Sequence, residues 1–527
     1  MNKLIVFGLL LLCGAHLSSQ ILPNPTEIKF EDGYFTLKNN TKISFESIGE
    51  LSADELISQL KKSTGYHFIK TSKKIKKGIL FTTKGATVSL GEEGYLLEIS
   101  PKQIVIRANN EKGMFYAVQS LLQLFPVEVY SETVRTNIKW TVACQKIKDI
   151  PKYEVRSFML DSGRQYQTPE FIKRYLDYMA ILKMNVFHWH LTEGQGWRIE
   201  IKKYPLLTSI GSNVAQGEQQ QGYYTQEDIK DIVAYASKKQ ITVIPEIDVP
   251  GHSEAALTAY PEYTCFGKAP ESVMAFSSHL FCGGNESTYT FLQDILDEVC
   301  ELFPGQYIHL GGDEAPKKDW DKCPVCQEKI KKEGLKNSHE LQLYFSSRLA
   351  NYLKKKGKKV IFWGDVVYHD GIDLPDNVIV HWWNSRRHKD LALRNAINRG
   401  HQVIAGTNNY SYLNFPLTPW SKYKENRTFD LETMYTQNPS DLENPNDLVL
   451  GMSTSLWTDW HVQEHMIDRR VFPRIFAIAE QMWSTADRKP FEEFYTDVKS
   501  KYRMLEVLGI DYGPGMQEEI TPDFSWD

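Results

Sequence analysis

Cysteine is scarce in this sequence, seven residues in 527, so no disulfide framework can stand in for a hydrophobic core. Charge of one sign is also missing: 61 basic against 66 acidic side chains leave a net charge of −5. The basic footprint that nucleic-acid binding needs is therefore absent. No apolar run is long enough for an integral membrane span. Internal repeats and low-complexity linkers are lacking too. With 42% hydrophobic and 24% charged residues, the composition excludes a disordered or collagen-like chain. Aromatics, by contrast, are plentiful: 12 Trp, 27 Tyr and 25 Phe. Trp beyond what a core requires points to flat apolar walls on which a ligand stacks.

Met1-Asn2-Lys3, an apolar run from Leu4 to Leu12 and a small, polar exit at Ser18-Ser19-Gln20 read as a secretory signal peptide over residues 1–19, cleaved after Ser19. The expected location is periplasmic or secreted. A surface lipoprotein anchored at Cys13 is the less favoured alternative, because Leu12 is larger than such a site prefers. Export implies an oxidising compartment, in which Cys265 and Cys282 could bridge across a Gly/Pro/Ser-rich loop. Cys323-Pro-Val-Cys326 has the spacing of half a metal site, but no second CxxC exists, which favours a structural or free-thiol role and no metal.

Residues 20–150 alternate short β-like runs with Lys-rich turns and carry one clear helix near Lys112–Leu124. This predicts a small α+β domain with an antiparallel sheet. Over residues 151–527 the pattern changes to buried strands alternating with amphipathic helices. Eight strands are expected, at Arg156–Asp161, Asn185–Leu191, Thr242–Asp248, Tyr307–Gly312, Val360–Gly364, Val378–Trp383, Gln402–Ala405 and Val449–Leu456. Helices are expected at Pro169–Leu182, Gln226–Lys239, Tyr289–Leu302 and His339–Lys356. The fold class is α/β, a (β/α)8 TIM barrel behind the smaller domain. A doubly wound open sheet competes, but no G-x-G-x-x-G follows the first strand.

A barrel places its chemistry at the carboxyl ends of its strands. Here those ends carry Asp161 to Arg164, His188 to Glu193, Glu246 to His252, His309 to Glu314, Trp363 to Asp365, Trp382 to Asn384, Tyr412 to Asn414, and Trp457 to Asp459. Taken singly, a strand histidine is a satisfied core residue and a Trp is packing. Acids, His and Trp gathered at one face point to a carbohydrate pocket. Asp313-Glu314 is the most informative pair, because two acids buried at a strand end are costly to keep. Adjacent strand residues point to opposite faces, so the pair does not suit an acid and a nucleophile facing one bond. A division of labour fits better: Glu314, raised by burial, protonates the glycosidic oxygen, while ionised Asp313 holds a substrate group that is itself the nucleophile.

At these residues the chain resembles glycoside hydrolase family 20, the β-N-acetylhexosaminidases. The motifs are Arg156…Leu160-Asp161…Arg164, His188-x-His190-Leu191-Thr192, Gln195-Gly196-Trp197-Arg198, Pro245-Glu246-Ile247-Asp248-x-Pro-Gly-His252-Ser253 and His309-x-Gly-Gly-Asp313-Glu314. The resemblance implies that Glu314 is general acid and then base. Asp313 would orient the 2-acetamido group, whose carbonyl oxygen gives an oxazolinium intermediate, and Tyr412 would donate to that oxygen. Trp363, Trp457 and one of Trp382 and Trp383, with Trp383 favoured, would wall the sugar. Arg164 would bind its hydroxyls, Asp248 and His252 would steer the acid, and no cofactor is implied. Three positions depart from the family pattern: Glu193, Asn414 and Asp459, all expected at the outer rim of the sugar. Asn414 could donate to a 6-O-sulfate, with Lys422 and Lys424 near the same edge.

The sequence thus predicts an exo-acting, retaining β-N-acetylhexosaminidase whose partner is a glycan ending in N-acetylhexosamine, sulfated or not. The alternatives are a disaccharide-releasing enzyme of the same fold and a non-catalytic glycan-binding protein.

Overall fold

A computed structural model describes residues 21–527 except 215–220, 274–278, 418–427, 439, 442–445, 523 and 525–527. The N-terminal unit holds β1 (Glu27–Thr36), β2 (Lys42–Ser44), β3 (Ile69–Thr71), β4 (Gly78–Thr82), β5 (Tyr95–Ile99), β6 (Gln103–Ala108) and β7 (Thr141–Asp149). They form one seven-stranded sheet in the order β1-β7-β5-β6-β4-β2-β3. The sheet is mixed, which corrects the antiparallel expectation: β2 runs parallel to both β3 and β4, and β4 parallel to β6. A helix over Glu50–Thr64 joins β2 to β3, and a crossover of that length is what parallel pairing requires.

Eight parallel strands then close a barrel: β8 (Val155–Asp161), β9 (Val186–His190), β12 (Thr242–Glu246), β13 (Tyr307–His309), β14 (Lys359–Trp363), β15 (Val378–Trp382), β16 (Gln402–Ala405) and β17 (Val449–Leu456). A short hairpin, β10 (Thr192–Glu193) with β11 (Gly196–Trp197), follows β9. Helices return the chain between strands. In the first, over Pro169–Ile181, the Thr168 hydroxyl accepts from Phe171 N and Pro169 opens the helix, both favourable at a helix start.

Side chains alternate along each strand, so every second residue enters the barrel. Val155, Val186, Ile244, Ile361, Ile379, Ile404 and Leu450 form an apolar cluster of their own inside it. Two residues on, the layer above is polar: His188, Glu246, Trp363 and His381. Two further on come His190, Asp248, Asp365 and Trp383, at the open mouth. Among the described residues no helix is long and apolar enough to cross a membrane.

Candidate functional site

The fourth barrel strand stops at His309, three residues short of the expectation, because Gly311 and Gly312 take left-handed φ values of 60° and 93°. A β-carbon at Gly311 would run into the Asp248 carboxylate. The turn is pinned by Gly312 N donating to Asp248 Oδ1 at 3.0 Å and Gln342 Nε2 donating to Gly312 O at 2.7 Å. Glu314 is left-handed as well, at φ 44°. Strand alternation therefore does not apply to Asp313-Glu314, and the two carboxyl groups converge. Each lies 3.7 Å from His252 Nε2.

A chain of alternating charge leads to that nitrogen. Glu246, deep in the barrel, meets His188 Nε2 at 2.8 Å, His190 Nδ1 at 2.7 Å and Trp363 Nε1 at 2.8 Å. His190 Nε2 lies 3.2 Å from Glu193, which also binds Arg164 at 2.9 Å and His252 Nδ1 at 2.7 Å. Burial alone would discharge all of these groups. Burial pushes Glu246 and Glu193 up, but the imidazoles around Glu246, and Arg164 with His252 beside Glu193, outweigh it and hold both well below the carboxylate range. Burial likewise pulls His190 and His252 down, yet Glu246 and Glu193 respectively hold them well above the ordinary imidazole value.

The carboxyls beyond His252 behave in the opposite way. Burial and the neighbouring Asp248 push Asp313 well up; burial takes Asp248 itself to about 7. Burial also raises Glu314 and Asp365. Asp313, the member of the pair expected to be ionised, is thus held above the ordinary carboxylate range by burial and by Asp248. Glu314 N donates to Asp365 Oδ1 at 3.3 Å, and Trp383 Nε1 donates to Asp365 Oδ2 at 2.7 Å. A cavity of about 400 Å³ opens beside Glu314, Asp365, Lys317 and Arg387.

One model of known families, "Glycosyl hydrolase family 20, catalytic domain", matches residues 153–486, and another, "Glycosyl hydrolase family 20, domain 2", matches residues 18–150. The chain belongs to glycosyl hydrolase family 20. It is 36% identical to a beta-hexosaminidase of Porphyromonas gingivalis, across 95% of this chain and 65% of that longer protein. A crystal structure of beta-N-acetylhexosaminidase from Bacteroides fragilis superposes with a TM-score of 0.89 at 48% identity, covering 96% of this chain and 99% of that one. A chitobiase structure from Flavobacterium johnsoniae gives 0.77 at 33%, covering 93% and 73%.

The other residues singled out in this family 20 chain fall into three groups. Trp457 is half-buried between His190, Tyr412 and Trp363, with ring centroids 5.1, 6.0 and 5.9 Å away, and the Arg164 guanidinium stands 5.2 Å over its ring. Asn414 Nδ2 donates to Asp459 Oδ1 at 3.0 Å, and burial lifts Asp459 to about 6. These line the mouth. Trp363 is fully buried and stacks on His381, forming a floor behind Trp457. His309 lies in the same interior layer and accepts from Gly311 N through Nδ1. Trp382 falls on the outward set and donates to Lys389 O, away from the mouth. Lys422 and Lys424 lie outside the described residues.

Two expectations need correction. The partner of His252 is Glu193, whereas Asp248 spends Oδ1 on Gly312 N. Glu193 is no rim residue either: it is 2% exposed and ties Arg164 to the acid pair through His252. The sequence reading gave no role to Glu246 or Asp365. Their signal was position, Glu246 two residues above the inward Ile244 on β12 and Asp365 four above the inward Ile361, just past β14.

Proposed function

We propose that this chain is a retaining, exo-acting β-N-acetylhexosaminidase in which the 2-acetamido group of the substrate is the nucleophile. The observation that carries the reading is the convergence of Asp313 and Glu314 on one imidazole nitrogen. A retaining pair that attacks and protonates one bond needs its carboxyls about 5–5.5 Å apart on either side of it. Two neighbouring residues held on one cation serve one side instead. The names of the relatives, beta-hexosaminidase and beta-N-acetylhexosaminidase, support the same substrate class.

In this reading Glu314, protonated because it is buried, donates to the glycosidic oxygen and later takes a proton from water. The leaving group then lies on the side of the cavity beside it. Asp313 accepts from the acetamido N–H, and the positive charge that develops on the oxazolinium ring favours its carboxylate form against the burial that raises it. Tyr412 donates to the acetamido oxygen, Trp457 and Trp383 bound the sugar, and Arg164 meets its hydroxyls. The Asn414–Asp459 pair closes the outer edge, which supports an exo mode over release of a disaccharide. Asn414 spends one of its two amide N–H groups on Asp459, whose acidic group beside it disfavours an anion, so the proposal is for the neutral sugar first, with 6-O-sulfated GlcNAc as the second substrate to assay. Export stays part of the proposal, on the strength of the Met1-to-Gln20 pattern.

A thiazoline mimic of the oxazolinium tests the central role. The parent is expected to bind it tightly and Asp313→Asn weakly, the loss amounting to a few kcal/mol for an ionic partner in a dry site. Equal binding would remove Asp313 from the mechanism.

A further inference from the structure

We infer that Cys265, Cys282, Cys323 and Cys326 form a tetrahedral zinc site that clamps two active-site loops together. The CxxC half-site lacked a partner in the sequence, and the fold supplies one. Thr264 and Phe281 form an antiparallel bridge, and Cys282 N donates to Tyr263 O at 2.8 Å, which sets Cys265 beside Cys282. Opposite them, Cys323 stands immediately before a helix over Pro324–Lys332 and Cys326 lies in its first turn. The four sulfurs all lie within 4.8 Å of one another.

Their spacing is that of a metal centre. Four thiolates about 2.3 Å from a shared zinc ion sit about 3.8 Å apart in a tetrahedron. Here Cys265–Cys326 is 3.8 Å, Cys282–Cys323 is 4.0 Å and Cys282–Cys326 is 3.6 Å. All four cysteines carry free thiols, so the expected Cys265–Cys282 bridge is not formed. Cys282, Cys323 and Cys326 are at most 2% exposed. The Gly284 N–H donates to the Cys282 sulfur, and a β-carbon on Gly284 would come within 2.6 Å of Cys326 N. Backbone held this close around four soft, convergent ligands suits zinc, since tetrahedral S4 sets select zinc or iron over hard cations. Binding would release the four thiol protons to solvent as the thiolates take up the metal.

The placement gives the site a purpose. Cys265 and Cys282 lie on the long segment after β12, which also carries His252. Cys323 and Cys326 follow Asp313-Glu314 by about a dozen residues. A loop of that length needs an anchor, and here Trp320 Nε1 donates to Phe281 O at 3.0 Å beside the cysteines. The metal would fix the segment bearing the imidazole to the segment bearing the acids.

The test is the metal content of the full chain, purified without added metal, by inductively coupled plasma mass spectrometry. About one zinc per chain is expected. Cobalt substitution should give the strong visible bands of tetrahedral thiolate coordination. Cys323→Ser and Cys326→Ser should lose the metal, while Cys144→Ser and Cys300→Ser, at the two other described cysteines, should keep it. If the cluster variants fail to fold, the parent protein still decides. Iron in place of zinc, or no metal together with two disulfides in the non-reduced mass, would overturn the inference.

Discussion

His252 stands 3.7 Å from both carboxyl groups assigned to catalysis, so its charge lowers both titrations against the burial that raises them. An opposite charge at such a distance lowers a carboxyl pKa by roughly 1–3 units. The imidazolium opposes the burial that raises Glu314. Without it, Glu314 keeps its proton to higher pH, and Asp313 holds its own more firmly. His252→Gln is therefore expected to move the basic limb of the kcat/KM profile up by about 1 pH unit or more, while kcat falls. A pH profile of the purified variant checks this, and an unmoved basic limb would detach His252 from the acid. This network was only partly legible in the sequence. Asp313, Glu314 and His252 announced themselves by lying after strands. That Glu193 joins His252 to Arg164 could not be read, because the first pair is 59 residues apart and meets only when the barrel closes.

At the scale of the element, the turn after β13 decides where the acids point. Gly311 at φ 60° faces the Asp248 carboxylate with no room for a side chain. Alanine there would cost about 1–2 kcal/mol for the left-handed backbone alone, before the carboxylate moves aside. Gly311→Ala is expected to lower Tm and to lower kcat/KM by more than the loss of folded protein explains. Thermal unfolding beside steady-state kinetics separates the two effects, and parent-like kinetics would show that the turn does not aim the pair. The barrel strands were legible because each is an apolar run bounded by helices. Gln402–Ala405 and Val449–Leu456 match their observed bounds. The sheet direction in the N-terminal unit was not, since short strands look alike whichever way they run. The helix that fixes it, Glu50–Thr64, carries Glu50, Lys61 and Lys62 at its ends and a weak apolar face. The argument from strand alternation failed at Asp313-Glu314 for a related reason: two glycines had already left the strand.

For the molecule as a whole, the N-terminal unit is keyed to the closed end of the barrel by buried charge. Arg156, at the start of β8, is fully buried, binds Glu93 at 2.7 Å and stacks over Trp483 with its guanidinium 4.8 Å from the ring centroid. Lys183 pairs with Asp149 at 2.7 Å, both fully buried, and Tyr95 and Trp483 also donate to Asp149. Arg156 belongs to a motif quoted for the site, yet it lies at the opposite end of the barrel and holds the two units in register. Buried pairs of this kind add little net stability but penalise any misaligned docking. The proposed chemistry rests on the sugar supplying its own nucleophile. The direct measurement is kcat/KM for a chromogenic N-acetyl-β-glucosaminide beside the β-glucoside with the same leaving group. The account predicts turnover of the acetamido sugar and none detectable of the plain glucoside. Comparable rates on both would contradict it.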